Sequence, residues 1–374
     1  MPIENSRSFF ITGGTGFLGS YLVAALCRKN YQITLSVRPK NGYDAETRVR
    51  RAAEWFGLTE DEISNISIGD HCHQGQEIIH CASDTDFAER NRREIEASNL
   101  QYLEEVLKMA KSKSASRFHY LGTAYSAGAV EGDCPEELTY PEKFTNVYEE
   151  TKNRAERKAY DFCKNNGIKL SIYRPSIVYG ESGTGRSRKF NALYYPVKAI
   201  SFIKEIMLKD ILEKVGKRAE ALGVKLKEGG KLVMPIRLKS ISGGKLNLIP
   251  VDFFTKAMTA IIEKNTEDGI FHIVNSGAGD LNELIEYTSE YFGIEGLKVV
   301  NGDEGEIKDK NGLEQLFESY VKMYLPYIAD RRVFLTDRTA PLLESENIYC
   351  PKMNYDIFKR CMDYAVASGW KDHM

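Results

Sequence analysis

Apolar and polar positions follow two rhythms in the first half of this chain. Ser8–Thr12 is a short apolar run, Phe17–Arg28 repeats apolar side chains at helical spacing, and Gln32–Val37 is rich in β-branched residues before Arg38-Pro39. A strand, a helix and a second strand are predicted, the unit that builds parallel sheets. Further strands are predicted at Glu77–Ala82, Arg117–Leu121 and Lys169–Tyr173, each bounded by a helical stretch. This alternation predicts an α/β fold with a doubly wound parallel sheet covered on both faces.

Beyond Gly180 the texture changes. Ser182–Arg188 reads as a Gly/Ser/Arg loop, Phe190–Leu222 as helix, and Gly229–Gly244 as glycine-rich and poorly periodic. Asp252–Glu263 reads as helix, Gly269–Val274 as strand, and the remainder as mostly helical. No sheet of its own is expected there. A smaller, mostly helical lobe is predicted from 181–244 and 276–374, with 245–275 packing back on residues 1–180.

Composition narrows the partners. Of 374 residues, 42% are hydrophobic and 28% charged, with a formal net charge of −2. That supports a sizeable core and gives no general reason to expect nucleic acid or an anionic membrane as partner. Seven scattered cysteines, odd in number and without Cys-x-x-Cys spacing, predict reduced thiols and a cytoplasmic setting. Met1–Arg7 is short and polar, unlike a signal peptide, and no apolar run approaches the roughly 18 residues of a membrane span.

The first strand runs into Thr12-Gly13-Gly14-Thr15-Gly16-Phe17-Leu18-Gly19. Gly13 suits a tight turn, Gly16 a close approach of backbone to a pyrophosphate, and Gly19 close packing of helix on strand. Following a strand and opening a helix, this is the dinucleotide-binding pattern of a Rossmann-type sheet. The second strand ends in Arg38 where an acidic residue would select NAD(H). A guanidinium there suits a ribose 2′-phosphate, so NADP(H) is favoured over NAD(H).

Tyr148 and Lys152 stand four apart on a predicted helix and share one face. Hydride chemistry at a carbonyl needs a proton donor, and a phenol serves near neutral pH only beside a cation that lowers its pKa. Thr123 follows the strand Arg117–Leu121 closely, and such strand ends face the cofactor crevice. Its hydroxyl is placed to hold the substrate oxygen.

With TGGTGFLG, IIHCAS (Ile78–Ser83), LGTAYSAG (Leu121–Gly128), NVYEETK (Asn146–Lys152) and RPSIVYG (Arg174–Gly180) in this order, the chain resembles the extended short-chain dehydrogenase/reductase superfamily. HCAS, TAYSAG and NVYEETKNRAE most resemble its fatty acyl-CoA reductase and thioester reductase branch. The resemblance covers roughly the first 180 residues, and Asn247–Asn275 more weakly. It implies Tyr148 as proton donor, Lys152 as ribose ligand and modulator of the phenol, Thr123 as carbonyl holder, and Asn99 as holder of a relay water. Asp70 is implied beside adenine, Ala82 and Ser83 along the nucleotide, and Pro175, Ser176 and Ile177 at the nicotinamide; Thr12, Thr15, Phe17 and Leu18 belong to the phosphate turn. Dimerisation through the helices carrying Asn99 and Tyr148 is implied by the same analogy. Two departures stand out: Gly122 replaces the usual serine before the threonine, and Gly69–His80 is short.

Other features carry less. His71, Cys72, His73, His80 and Cys81 have the donors for zinc, but strand alternation separates His80 from Cys81, and no metal site is expected. Cys81 and Cys163 are expected to be inert. Lys204–Lys227 reads as an amphipathic helix covering the substrate cleft, with membrane or carrier docking as the sharper alternative. Arg186, Arg188 and Lys189 are candidates for phosphates of coenzyme A or an acyl carrier. The leading expectation is an NADPH-dependent reductase of an acyl thioester or related carbonyl. A nucleotide-sugar epimerase or dehydratase, a hydroxysteroid-type dehydrogenase and a non-catalytic dinucleotide sensor remain alternatives.

Overall fold

The computed structural model describes residues 7–240, 244–301, 307–328 and 330–373. The polar lead-in at 1–6 and positions 241–243 of the glycine-rich stretch lie outside the described residues.

Seven parallel strands form the central sheet: β1 (Ser8–Thr12), β2 (Gln32–Ser36), β3 (Ile66–Ile68), β4 (Glu77–His80), β5 (Arg117–Leu121), β6 (Lys169–Pro175) and β7 (Gly269–Ile273). Their order is β7-β6-β5-β4-β1-β2-β3. Phe10 of β1 lies opposite Thr34 on one side and Ile78 on the other. Phe9, Phe10 and Ile11 are fully buried, as strands with helices on both faces require. The order reverses between β1 and β4, so the chain leaves these strands in opposite directions and opens a crevice at their carboxyl ends.

Helices α1 (Phe17–Cys27), α2 (Ala45–Phe56), α3 (Tyr102–Ser112) and α4 (Val147–Asn166) flank this sheet. Asp44 caps α2 through the Thr47 amide, and Asn146 caps α4 through the Glu149 amide. The α4 helix stops at Gly167, whose φ of 66° suits glycine. A π-helical turn, Ala97–Gln101, precedes α3. In the short helix Arg92–Glu96 ahead of that turn, Arg92 bonds Glu150 of α4 at 2.9 Å, and Arg154 of α4 bonds Glu96 at 2.6 Å.

The second half adds α5 (Tyr194–Glu213), α6 (Val251–Lys264), α7 (Leu281–Phe292), α8 (Gly312–Val321) and α9 (Tyr355–Ala367). It departs from expectation in two places. The helix expected over Phe190–Leu222 breaks where Val215 and Gly216 take φ of 69° and 72°, and resumes only at Lys217–Ala221. A three-stranded sheet of Lys225–Leu226, Leu232–Ser240 and Ile294–Asn301 stands where none was expected. Leu232, Met234, Ile236 and Leu238 are buried at period two. Pro235 and the charges of Arg237 and Lys239 between them disguise that alternation. No described helix is long and apolar enough to cross a membrane.

The α6 helix shares a buried cluster with the sheet and α1: Phe254 and Ile261 are fully buried with Phe9 and Leu22. Phe254→Ala, which empties a site closed on every side, should cost about 3–5 kcal/mol and lower the urea midpoint accordingly.

Candidate active site

The phosphate turn is built by close approach of backbone. Gly13 has φ of 72°, and a Cβ there would stand 2.5 Å from the Ala82 nitrogen and 2.6 Å from the Cys81 carbonyl carbon. Gly19 meets the Gly13 carbonyl in the same way, so α1 starts tight against the turn. Gly16 is the N-cap of α1 and offers no side-chain cap, which leaves the amides of the first turn for an anion. Gly13, Gly16, Phe17, Leu18 and Gly19 line one continuous cavity of about 560 Å³. Thr12 and Thr15 do not: Thr12 turns inward to bond the His80 Nδ1 at 2.8 Å, and Thr15 is buried beneath the turn.

One end of this cavity is basic. Arg38 lines it together with Lys40 and Arg48. Arg48 donates to the Arg38 carbonyl at 2.7 Å, and its pKa is lowered by burial and by the Arg38 charge. Two guanidiniums and an ammonium at one end of the cavity suit an anionic group. Sequence reasoning missed Arg48; the run of arginines in α2 is the signal that could have found it.

At the next station Thr123, Tyr148 and Lys152 meet on the cavity wall. Burial raises the Tyr148 phenol, while its hydrogen bond with Thr123 works the other way. The Lys152 Nζ donates to the Leu121 carbonyl at 2.5 Å and sits 4.6 Å from the centre of the Tyr120 ring. Burial pushes this ammonium down to about 8, opposed by the Glu156 carboxylate one turn along α4. Pro175, Ser176 and Ile177 form the facing wall. The Ser176 hydroxyl is buried without a hydrogen-bond partner, on a residue that lines the cavity.

Three other expected residues sit differently. Asn99, in the π-helical turn, accepts from Ser83 Oγ at 3.0 Å and from the Asp84 amide at 2.7 Å. Its amide donates to the Asp84 carbonyl at 3.0 Å and to Thr151 Oγ1 at 3.1 Å. Its side chain therefore ties the loop after β4 to α4, and the cavity is lined by Ser83 and Ser98 instead. Ala82 contributes its backbone against Gly13. Asp70 is exposed, two residues past the carboxyl end of the edge strand β3, and is not among the residues that line the cavity.

The far arm of the cavity is apolar. It is walled by Val197 and Ile200 of α5, Leu238, Leu284 and Ile285 of α7, and Phe317 of α8. Thr288, also on this wall, commits its hydroxyl to the Leu284 carbonyl at 2.7 Å. Phe87 packs 5.8 Å from Tyr148 and 5.6 Å from Tyr327, closing an aromatic collar between the triad and this arm. The Tyr327 hydroxyl accepts from Asn146 at 2.7 Å, and Arg332 reaches the buried Glu149 at 3.5 Å. Tyr327 and Arg332 carried no sequence signal, because they lie 181 and 183 positions from the residues they hold.

Of the three cations considered for coenzyme A, only Lys189 lines the cavity. Arg186 bonds the Trp55 carbonyl and stacks 4.1 Å above its ring; Arg188 is buried and bonds the His373 carbonyl. Burial pushes the Cys81 and Cys163 thiols up to about 12, so neither is a nucleophile near neutral pH. Among the described residues no group of three or more His, Cys, Asp or Glu is arranged for a metal.

The profile of the NAD dependent epimerase/dehydratase family matches residues 9–207. A linear gramicidin synthase from Brevibacillus parabrevis is 22% identical over 405 aligned positions, covering 98% of this chain and 7% of that protein. The chain thus spans a small part of that relative's length. The terminal R domain of the myxalamid PKS-NRPS pathway superposes with a TM-score of 0.73 at 19% identity, covering 100% of this chain and 94% of that one. A thiolation-reductase di-domain from an archaeal non-ribosomal peptide synthetase gives 0.66 at 16% identity, covering 98% and 91%. These two likenesses speak for the fold.

Gly13→Ala sets a side chain against the Cys81–Ala82 peptide at a positive φ. It should weaken binding of a reduced nicotinamide dinucleotide at least about tenfold in a fluorescence titration.

Proposed function

The chain belongs to the NAD dependent epimerase/dehydratase family, and we propose that it is an NADPH-dependent reductase of an acyl thioester. The observation that carries this reading is the apolar arm that opens beside Thr123, Tyr148 and Lys152. A nucleotide sugar needs polar partners for its hydroxyls and diphosphate, and side chains such as Ile200, Ile285 and Phe317 offer none. An acyl chain needs only apolar surface. The likeness to a gramicidin synthase and to reductase domains of such assemblies supports the same substrate class.

The residues present fit a dinucleotide: the glycine turn supplies amides and close approach, and Ser176 an uncommitted hydroxyl. A bound nicotinamide dinucleotide supplies the hydride. Arg38, Lys40 and Arg48 would hold the 2′-phosphate that distinguishes NADPH. Residues 181–244 and 276–374 would serve as the substrate lobe over a cofactor-binding part made of 1–180 and 245–275.

Thr123 and Tyr148 would share the carbonyl oxygen of the thioester. As negative charge develops there, Tyr148 donates its proton, and Lys152 stabilises the phenolate left behind. The acyl carbon gains hydrogen, the C–S bond then breaks, and an aldehyde and a free thiol leave. The thiol departs towards Lys189, on the side where a carrier or coenzyme would reach the cleft.

Purified protein should oxidise NADPH with acyl-CoAs and not with UDP-sugars, read by nicotinamide absorbance. Turnover of UDP-sugars with no acyl-CoA reduction would overturn the reading. Tyr148→Phe should lower kcat by about 10²–10⁴-fold with NADPH affinity unchanged. Arg38→Ala and Arg48→Ala should each weaken NADPH by about tenfold and leave NADH binding nearly as it was.

A further inference from the structure

Lys152 is a buried cation in a cleft whose chemistry needs it charged. Burial alone drives an ammonium towards its neutral form. The groups facing it are few. On α4 they are Tyr148 and Glu156; on β5, the Leu121 carbonyl and the Tyr120 ring; at the end of β4 and just after it, His80 and Cys81. His80 is itself held neutral by burial and by the Lys152 charge, and Cys81 keeps its proton because of burial. Glu156 is the one carboxylate in this set.

The surroundings of Glu156 are unusually committed. Its side chain is 1% exposed. Arg174 grips one carboxylate oxygen through Nε at 3.0 Å and Nη2 at 2.8 Å, and Ser126 Oγ bonds the carboxylate at 3.0 Å. A Cβ at position 122 would collide with the Glu156 Oε1 and crowd the Tyr173 carbonyl at 3.3 Å. The glycine that departs from the expected serine is therefore the space in which this carboxylate sits.

We propose that Glu156 is a positioning residue for Lys152: its carboxylate, fixed by Arg174 and Ser126 in the space left by Gly122, keeps the ammonium charged and aimed into the cleft. The i,i+4 spacing on α4 places it one turn below the lysine, on the protein side and away from the reacting atoms. Arg174 serves by orienting Glu156, and buried pairs of this kind set geometry more than they add stability. The inference deepens the reductase reading, yet its test needs no substrate.

The test is a pH titration of Lys152 by NMR in isotope-labelled lysine protein, its signal identified by loss in Lys152→Arg. In Glu156→Gln the midpoint should fall by about one pH unit or more, and Glu156→Asp should recover most of that shift. A midpoint unmoved in folded Glu156→Gln overturns the proposal, as does an Asp variant no better than the Gln. Glu156→Gln strands the Arg174 guanidinium in the core, so Glu156→Gln/Arg174→Met provides a variant without either charge. The midpoint should still lie below wild type there, because Glu156 stands one turn from Lys152 on α4 whereas Arg174 stands on β6. A wild-type-like midpoint in that pair also overturns it. Shifted lysine titration in a protein that reduces no thioester would keep this inference and end the reductase reading; the reverse would do the opposite.

Discussion

The contact on which the rest of the cleft depends is the one between the Gly13 backbone and the Cys81–Ala82 peptide. It fixes the end of β1 against the loop leaving β4. That loop continues into Ser83 and Asp84, which Asn99 bonds from the π-helical turn, and the same Asn99 amide reaches Thr151 on α4. A single line of backbone and amide contacts thus runs from the phosphate turn to the helix bearing Tyr148 and Lys152. The cofactor end and the chemical end are held in one frame by short polar bonds, and loop flexibility has little part in it. A π-turn, which widens the helix by one residue, is how Asn99 reaches both neighbours at once.

Much of this was legible in the chain because it is local. The glycines at 13, 16 and 19, the Tyr148–Lys152 spacing and six of the seven sheet strands follow from spacing over a few residues. What was hidden is non-local. Phe87, Tyr327 and Arg332 meet α4 only after the chain has crossed the whole molecule, and nothing in their own neighbourhoods marks them. Gly122 looked like a lost hydroxyl until Glu156 appeared in its place. The strand Leu232–Ser240 was hidden by a different cause: its alternation is sound, but Pro235 and two cations sit on its outward positions.

Two buried ion pairs bracket α4, Glu156 with Arg174 below and Glu149 with Arg332 above. Each carries a desolvation penalty that its attraction roughly offsets, so their value lies in fixing orientation. Together they hold the helix in register from opposite parts of the chain, and Arg332 links the residues near the carboxyl terminus to the first turn of α4. Loss of either arginine would leave a carboxylate buried beside the active face.

The apolar arm has a different kind of consequence. Its walls come mainly from α5, α7 and α8, which contribute no strand to the central sheet and no residue to the phosphate turn. Exchanging Val197, Ile285 or Phe317 for larger or smaller apolar side chains would therefore reshape the arm without disturbing the frame that runs from Gly13 to Lys152. Selection can act on the two parts separately, and a lineage could drift from one substrate shape to another while its dinucleotide-binding frame stays unchanged. Diversification in such a scaffold is easy where the walls are helical and hard where they are backbone.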